Sequence, residues 1–166
     1  EVLSKETAYL MTNLMEGGVN EEGGTGRAVR SFFSLPAAGK TGTTNDYGDA
    51  WFEGFTPHLA AGVWVGFDDN RIKFGSADGQ GGRAAAPIFG RFMRYTYDDP
   101  EIGLQLDYFK EPDGIVTDTI CVDTKKKARE FCPERTTEIF NSKYPIGQCD
   151  VHTSPDWRAE KNPNTV

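Results

Sequence analysis

The sequence contains no apolar run approaching the ~20 residues of a membrane-spanning helix, no lysine- or arginine-rich face, and little cysteine or histidine. The first absence excludes a spanning helix within these 166 residues. The second argues against nucleic acid as a partner: 18 basic residues against 25 acidic ones leave a formal net charge of −7, the wrong sign for neutralising phosphates. Cys121, Cys132 and Cys149 all fall in the last third of the chain. They can serve as a local staple, not as a framework for the whole fold.

What is present is enough for one domain with a real core. Hydrophobic residues make up 37% and charged residues 26%, a globular balance. The 19 glycines and 9 prolines imply many loops, and the apolar residues concentrate before about position 110.

Ser4 can cap a helix from Lys5 to about Glu16, with Glu6 in the favourable first turn. Thr7, Leu10, Met11 and Leu14 share one face, and Gly17-Gly18 are expected to stop it. After a glycine-rich acidic loop, Arg27 to Phe33 is ambiguous between helix and irregular structure. Three strand-like runs follow: Ala38 to Thr44, Ala50 to Thr56, and Leu59 to Phe67, separated by Asn45-Asp46-Tyr47-Gly48 and by Thr56-Pro57-His58. Connections this short favour an antiparallel meander. The third run is apolar on both alternating sets and is expected to be buried on both faces. Trp51, Phe52 and Trp64 are expected in the core, and His58 is read as a turn residue. A helix is expected from near Arg83, with Pro87 in its first turn and Ala85, Ile88, Phe89, Phe92 and Tyr95 on its inner face. After Asp98 the chain turns polar; Gly114 to Val122 suits a short strand, and residues 153–166 read as a disordered tail.

Gly39-Lys40-Thr41 imitates the end of a phosphate-binding loop, and Leu59 to Phe67 followed by Asp68-Asp69 imitates a magnesium-binding strand end. Both fail on context. The first glycine of the phosphate pattern would fall at Ser34, and the lysine would have to open a helix, which Thr43, Thr44, Asn45 and Gly48 prevent.

Lys40-Thr41-Gly42 on a strand suits another chemistry, the third signature of serine β-lactamases and penicillin-binding proteins. Its surroundings carry the assignment. Ala38 through Asp46, Asp49-Ala50-Trp51-Phe52-Glu53-Gly54-Phe55-Thr56-Pro57 and Gly62-Val63-Trp64-Val65-Gly66-Phe67-Asp68 closely resemble class A penicillin-binding proteins. Glu6-Thr7-Ala8-Tyr9-Leu10-Met11, Gly24-Thr25-Gly26, Ala86-Pro87-Ile88 and Phe92-Met93 match the same family. The resemblance covers about positions 3 to 95 and continues weakly to His152.

This resemblance implies an α+β fold: part of the serine β-lactamase/penicillin-binding transpeptidase fold, with three antiparallel strands here flanked by helices. It implies part of a peptidoglycan D,D-transpeptidase that is acylated by β-lactams, with D-Ala-D-Ala stem peptides as substrate and no cofactor. A glycosyltransferase domain and a membrane anchor outside this chain are implied for the parent, at the extracytoplasmic face of the bacterial inner membrane. Lys40 would place a positive charge at the substrate carboxylate and assist proton transfer. The hydroxyls of Thr43 and Thr41 would bond that carboxylate, the Thr43 N–H would donate to the oxyanion, and Gly42 would allow close approach. Strand alternation sends Lys40 and Gly42 one way and Thr41 and Thr43 the other. All can serve one ligand only if it adds itself as a strand, so the triplet is expected on a sheet edge bordering a cleft.

The nucleophile is missing. Ser4, Ser31, Ser34, Ser76, Ser142 and Ser154 each lack a lysine three residues on, and the family's Ser-x-Asn motif is absent too. Both are expected upstream of Glu1, in a missing N-terminal half of the domain, and the chain alone is expected to be inactive. A non-catalytic penicillin-recognition or scaffold domain is the alternative. A β-lactamase is disfavoured because the sequence after the triplet matches synthases. The expected organisation is residues 1–98 transpeptidase, 99–152 a loop-rich extension and 153–166 a tail. In an extracytoplasmic setting, Cys132 and Cys149, which flank a polar loop, are expected to form a disulfide. Zinc held by Cys121, Cys132, Cys149 and His152 has the right ligand number, but only Cys149-x-x-His152 has tight spacing, and no metal is expected.

Overall fold

The structure is a computed structural model that describes residues 2–69 and 71–160. The chain divides into two compact units. One comprises residues 11–110; the other joins the residues up to position 10 with those from 111 onward. Segment 99–110 packs within the first unit: Phe109 lies edge-on against Phe55 at 5.6 Å, and Asp107 lies 3.6 Å from His58.

Helix α1 spans Lys5–Asn20. The Ser4 hydroxyl accepts the Thr7 N–H at 3.2 Å, the cap that the sequence promised. Gly17 and Gly18 lie inside the helix, not after it. Glycine weakens a helix by roughly 1 kcal/mol without terminating it. The end is set instead at Asn20, whose side chain accepts from Arg30 Nε at 2.6 Å. A 3₁₀ turn at Arg27–Ser31 resolves the ambiguous stretch.

Strands β1 (Ala38–Thr43), β2 (Ala50–Phe55) and β3 (Ala60–Val65) form the antiparallel meander, in the order β1-β2-β3. Pairings run Lys40 with Glu53, Thr41 with Phe52 and Gly42 with Trp51, then Phe52 with Val63. Arg30 anchors the entry to β1 by donating to the carbonyls of Phe33, Leu35 and Ala37. Helices α2 (Gly81–Ala84) and α3 (Ala86–Asp98, with Pro87 in its first turn) follow.

The core of this unit gathers Val19, Val29, Phe33, Phe52, Phe89 and Met93, with the rings of Phe52 and Phe89 at 4.9 Å. Two expectations about burial fail here. β3 is not buried on both faces: Ala61, Val63 and Val65 pack towards the core, whereas Ala60, Gly62 and Trp64 are exposed. Phe52 is buried, but Trp51 and Trp64 are 41% and 43% exposed; they stand together on the open face, 6.2 Å apart. The inner face of α3 also differs. Ala86, Phe89, Gly90 and Met93 turn inwards while Ile88, Phe92 and Tyr95 face out. Small residues decide this, because a Cβ on Gly90 would stand 2.8 Å from the Val29 carbonyl oxygen, and only that face lets α3 approach.

In the other unit, β4 (Ile115–Cys121) pairs antiparallel with β5 (Arg135–Asn141). Within the expected tail, Trp157–Glu160 form a helical turn, α4; residues 161–166 lie outside the described residues. No helix among the described residues is long and apolar enough to cross a membrane.

Candidate functional site

Within the first unit β1 is an edge strand, as the alternation argument required, and it borders a cleft of about 540 Å³. Thr41 and Thr43 line the cleft together with Thr25, Tyr47, Gln80, Gly82 and Arg83. The Thr43 hydroxyl accepts the Gly81 N–H at 3.0 Å, which fills one lone pair and leaves the hydroxyl proton for another acceptor. Thr41 Oγ1 lies 2.7 Å from Thr25 Oγ1. Lys40 is exposed and donates from Nζ to the Thr41 carbonyl at 2.8 Å, with Thr41 Oγ1 at 3.5 Å. It is thus drawn along the strand towards the threonines. No ion pair joins it to a carboxylate among the described residues, although Glu53 is its cross-strand partner.

Two features hold this edge in place. Gly81 sits on the strand so closely that a Cβ there would stand 2.2 Å from the Trp51 carbonyl oxygen and 2.5 Å from that of Gly42. Only glycine allows α2 to reach Thr43. After the strand, Asp46 and Tyr47 both adopt left-handed backbone, with φ of 56° and 58°, a conformation disfavoured for a tyrosine. The turn is pinned by Lys73 donating to Asp46 at 2.9 Å and by the Phe74 N–H donating to the Tyr47 carbonyl. Hydrogen bonding from Lys73, then its charge, holds the Asp46 carboxyl below its usual value.

Of the four strand residues, Thr41 and Thr43 line the cleft, while Lys40 reaches towards the Thr41 carbonyl and Gly42 pairs with Trp51. Thr25, Tyr47, Gln80 and Arg83 were not foreseen as lining of the cleft. Gly24-Thr25-Gly26 had already stood out in the sequence; Gln80 and Arg83 carried no signal, since only the hairpin-like approach of α2 brings them there. Arg83 brings a cation to the cleft's lining and pairs with Asp78 at 3.3 Å.

The other unit brings the cysteines together. No bond joins Cys132 and Cys149: all three cysteines are free thiols. The expected disulfide gives way to a four-membered cluster, because Cys121 and His152 enter the same spot. The ligand atoms of Cys121, Cys132, Cys149 and His152 lie within 4.8 Å of one another, and all four residues are buried. Burial raises the Cys132 thiol. For Cys121 and Cys149 burial acts the same way, but hydrogen bonds outweigh it and lower both thiols: the backbone and hydroxyl of Thr124 for Cys121, and chiefly the Thr124 hydroxyl and the His152 N–H for Cys149.

Comparison with known proteins places the chain in a family. Residues 1–94 match the model of the penicillin binding protein transpeptidase domain. Penicillin-binding protein 1A of Clostridium perfringens is 29% identical over 93% of this chain, and that of Pseudomonas aeruginosa is 34% identical over 85%. The chain spans only 18% and 16% of the length of these two relatives. The crystal structure of penicillin-binding protein 1A from Haemophilus influenzae superposes with a TM-score of 0.73 at 26% identity, over 89% of this chain and 22% of that one. The chain belongs to the penicillin-binding protein transpeptidase domain family.

Proposed function

We propose that the chain is the C-terminal part of a peptidoglycan D,D-transpeptidase and that β1 holds the terminal carboxylate of a D-Ala-D-Ala stem peptide, or of a β-lactam. The observation that carries this is the edge itself: an ammonium without a carboxylate partner among the described residues and an oriented hydroxyl, on a strand bordering a cleft. Lys40 attracts the carboxylate, and Thr43, its acceptor lone pair occupied by Gly81, donates to it. Thr41, bonded to Thr25, is the neighbouring hydroxyl. The Thr43 N–H is one donor to the oxyanion. Gly42 leaves the backbone open to the ligand.

The attacking serine and its lysine are not in this sequence. The chain by itself therefore forms no acyl-enzyme, and catalysis needs the other half of the domain. In the parent protein a glycosyltransferase domain and a membrane anchor accompany it, and the site works outside the cytoplasmic membrane.

The test is a longer polypeptide that includes the Ser-x-x-Lys segment. A charge-assisted hydrogen bond contributes about 1.5–3 kcal/mol, so Lys40→Ala or Thr43→Val should slow acylation by a fluorescent penicillin about 10- to 100-fold. Labelling at the wild-type rate in both variants overturns the assignment.

A further inference from the structure

We propose that Cys121, Cys132, Cys149 and His152 form a structural zinc site that holds together the unit built on β4 and β5. The ligand set is Cys₃His, which suits zinc, and four protein ligands close a tetrahedral structural site. With Zn–S bonds of about 2.3 Å, tetrahedral geometry puts the ligand atoms roughly 3.5–3.8 Å apart. Here His152 Nδ1 lies 3.2 Å from Cys121 Sγ and 3.4 Å from Cys149 Sγ, and no two of the ligand atoms are more than 4.8 Å apart. A disulfide would use two of the sulfurs and leave a thiol and an imidazole buried without a role. A metal uses all four.

The surroundings are arranged for a metal as well. A ligating histidine ordinarily gives its other ring N–H to a carboxylate, and His152 Nε2 lies 3.4 Å from Asp123 Oδ2. This leaves Nδ1 free to face the sulfurs. The ring also packs edge-on against Trp157 at 4.2 Å, which fixes its plane. Backbone N–H groups point at sulfur: Arg129 N–H at Cys132 Sγ, 3.2 Å, and His152 N–H at Cys149 Sγ, 3.5 Å. The Thr124 hydroxyl is buried beside the cluster as a further donor towards Cys121 and Cys149. All these donors favour thiolates over thiols.

The fold explains why the spacing is long in sequence yet closed in space. Pairing of Cys121 with Arg135 across the β4–β5 ladder returns Cys132 to the end of β4. There the Arg135 guanidinium holds the carbonyls of Cys132 and Glu130. The Cys149 N–H donates to the Lys127 carbonyl at 2.9 Å and draws Cys149-x-x-His152 alongside. Among the described residues the cysteines form the buried cluster here, with Ala128 and Val151 packed against it. A two-stranded hairpin with so little apolar burial is marginal without a staple; a bound metal supplies one, the thiol protons leaving to solvent as it binds.

The experiment uses the whole 166-residue chain, reduced, stripped with a chelator and titrated with cobalt(II), then zinc. We expect one cobalt per chain, with the intense visible bands of a tetrahedral site and a thiolate charge-transfer band, both abolished by zinc. Asp123→Asn should weaken zinc binding about 10- to 100-fold, and His152→Cys should keep a tetrahedral site. The cysteines should react with a thiol reagent only after zinc is removed. Absence of tetrahedral cobalt bands in the reduced wild-type chain overturns the proposal, and so does a chain isolated without zinc that carries a Cys132–Cys149 disulfide.

Discussion

Gly81→Ala is the sharpest probe of how the cleft edge is built. The new Cβ would stand 2.2 Å from the Trp51 carbonyl oxygen and 2.5 Å from the Gly42 carbonyl oxygen. Both obstacles are backbone atoms of a paired ladder, so neither can swing away as a side chain would. To reach ordinary contact α2 must retreat by roughly 1 Å, which also stretches the 3.0 Å bond from the Gly81 N–H to Thr43. Overpacking of this kind costs about 1–3 kcal/mol. For a chain of this size that lowers the melting temperature by about 2–4 °C per kcal/mol. The matched control is Gly75→Ala, where nothing lies within 4 Å of the added carbon and φ is not left-handed. It should be neutral or stabilise by up to about 1 kcal/mol. Circular dichroism melts of the two variants give the comparison. In a polypeptide carrying the serine, Gly81→Ala should also slow penicillin acylation in the manner of Thr43→Val. Equal melting temperatures for the two variants would refute this account of the edge.

Arg30→Lys removes a planar donor set that serves Asn20 and the carbonyls of Phe33, Leu35 and Ala37; a loss of about 1–3 kcal/mol is expected in urea denaturation. The Asp46 carboxyl has a folded value below its unfolded one, so the Asp46–Lys73 link adds stability above the ordinary carboxylate range and loses it as pH falls through the lowered value. Hydrogen exchange of the Tyr47 turn should rise over that acid interval, and Asp46→Asn should abolish the rise. Chelation of the zinc-loaded chain should raise amide exchange in β4 and β5.

The three strands were legible because turn residues bracket them, and the edge position followed from one observation, that lysine and threonine alternate yet must share a ligand. The inner face of α3 was not. Counting apolar residues selects Ile88, Phe92 and Tyr95, but the helix approaches its neighbours through Ala86 and Gly90, where small size matters more than hydropathy. Trp51 and Trp64 misled for a related reason: the sheet has one covered face within this chain. β5 passed unnoticed because its sequence is polar; the ladder with β4, not burial, holds it. The cysteine cluster was legible as a ligand count but not as a geometry. The pairing that brings Cys132 back to Cys121 is long-range and leaves no local pattern.

On the function proposed above, this chain supplies a recognition edge without the means to attack. Incubating the 166-residue chain with a fluorescent penicillin, then resolving it under denaturing conditions, tests it directly. The expected result is no covalent label on the chain and a stoichiometric label on a polypeptide that includes the Ser-x-x-Lys segment. Stoichiometric labelling of the 166-residue chain alone would contradict it.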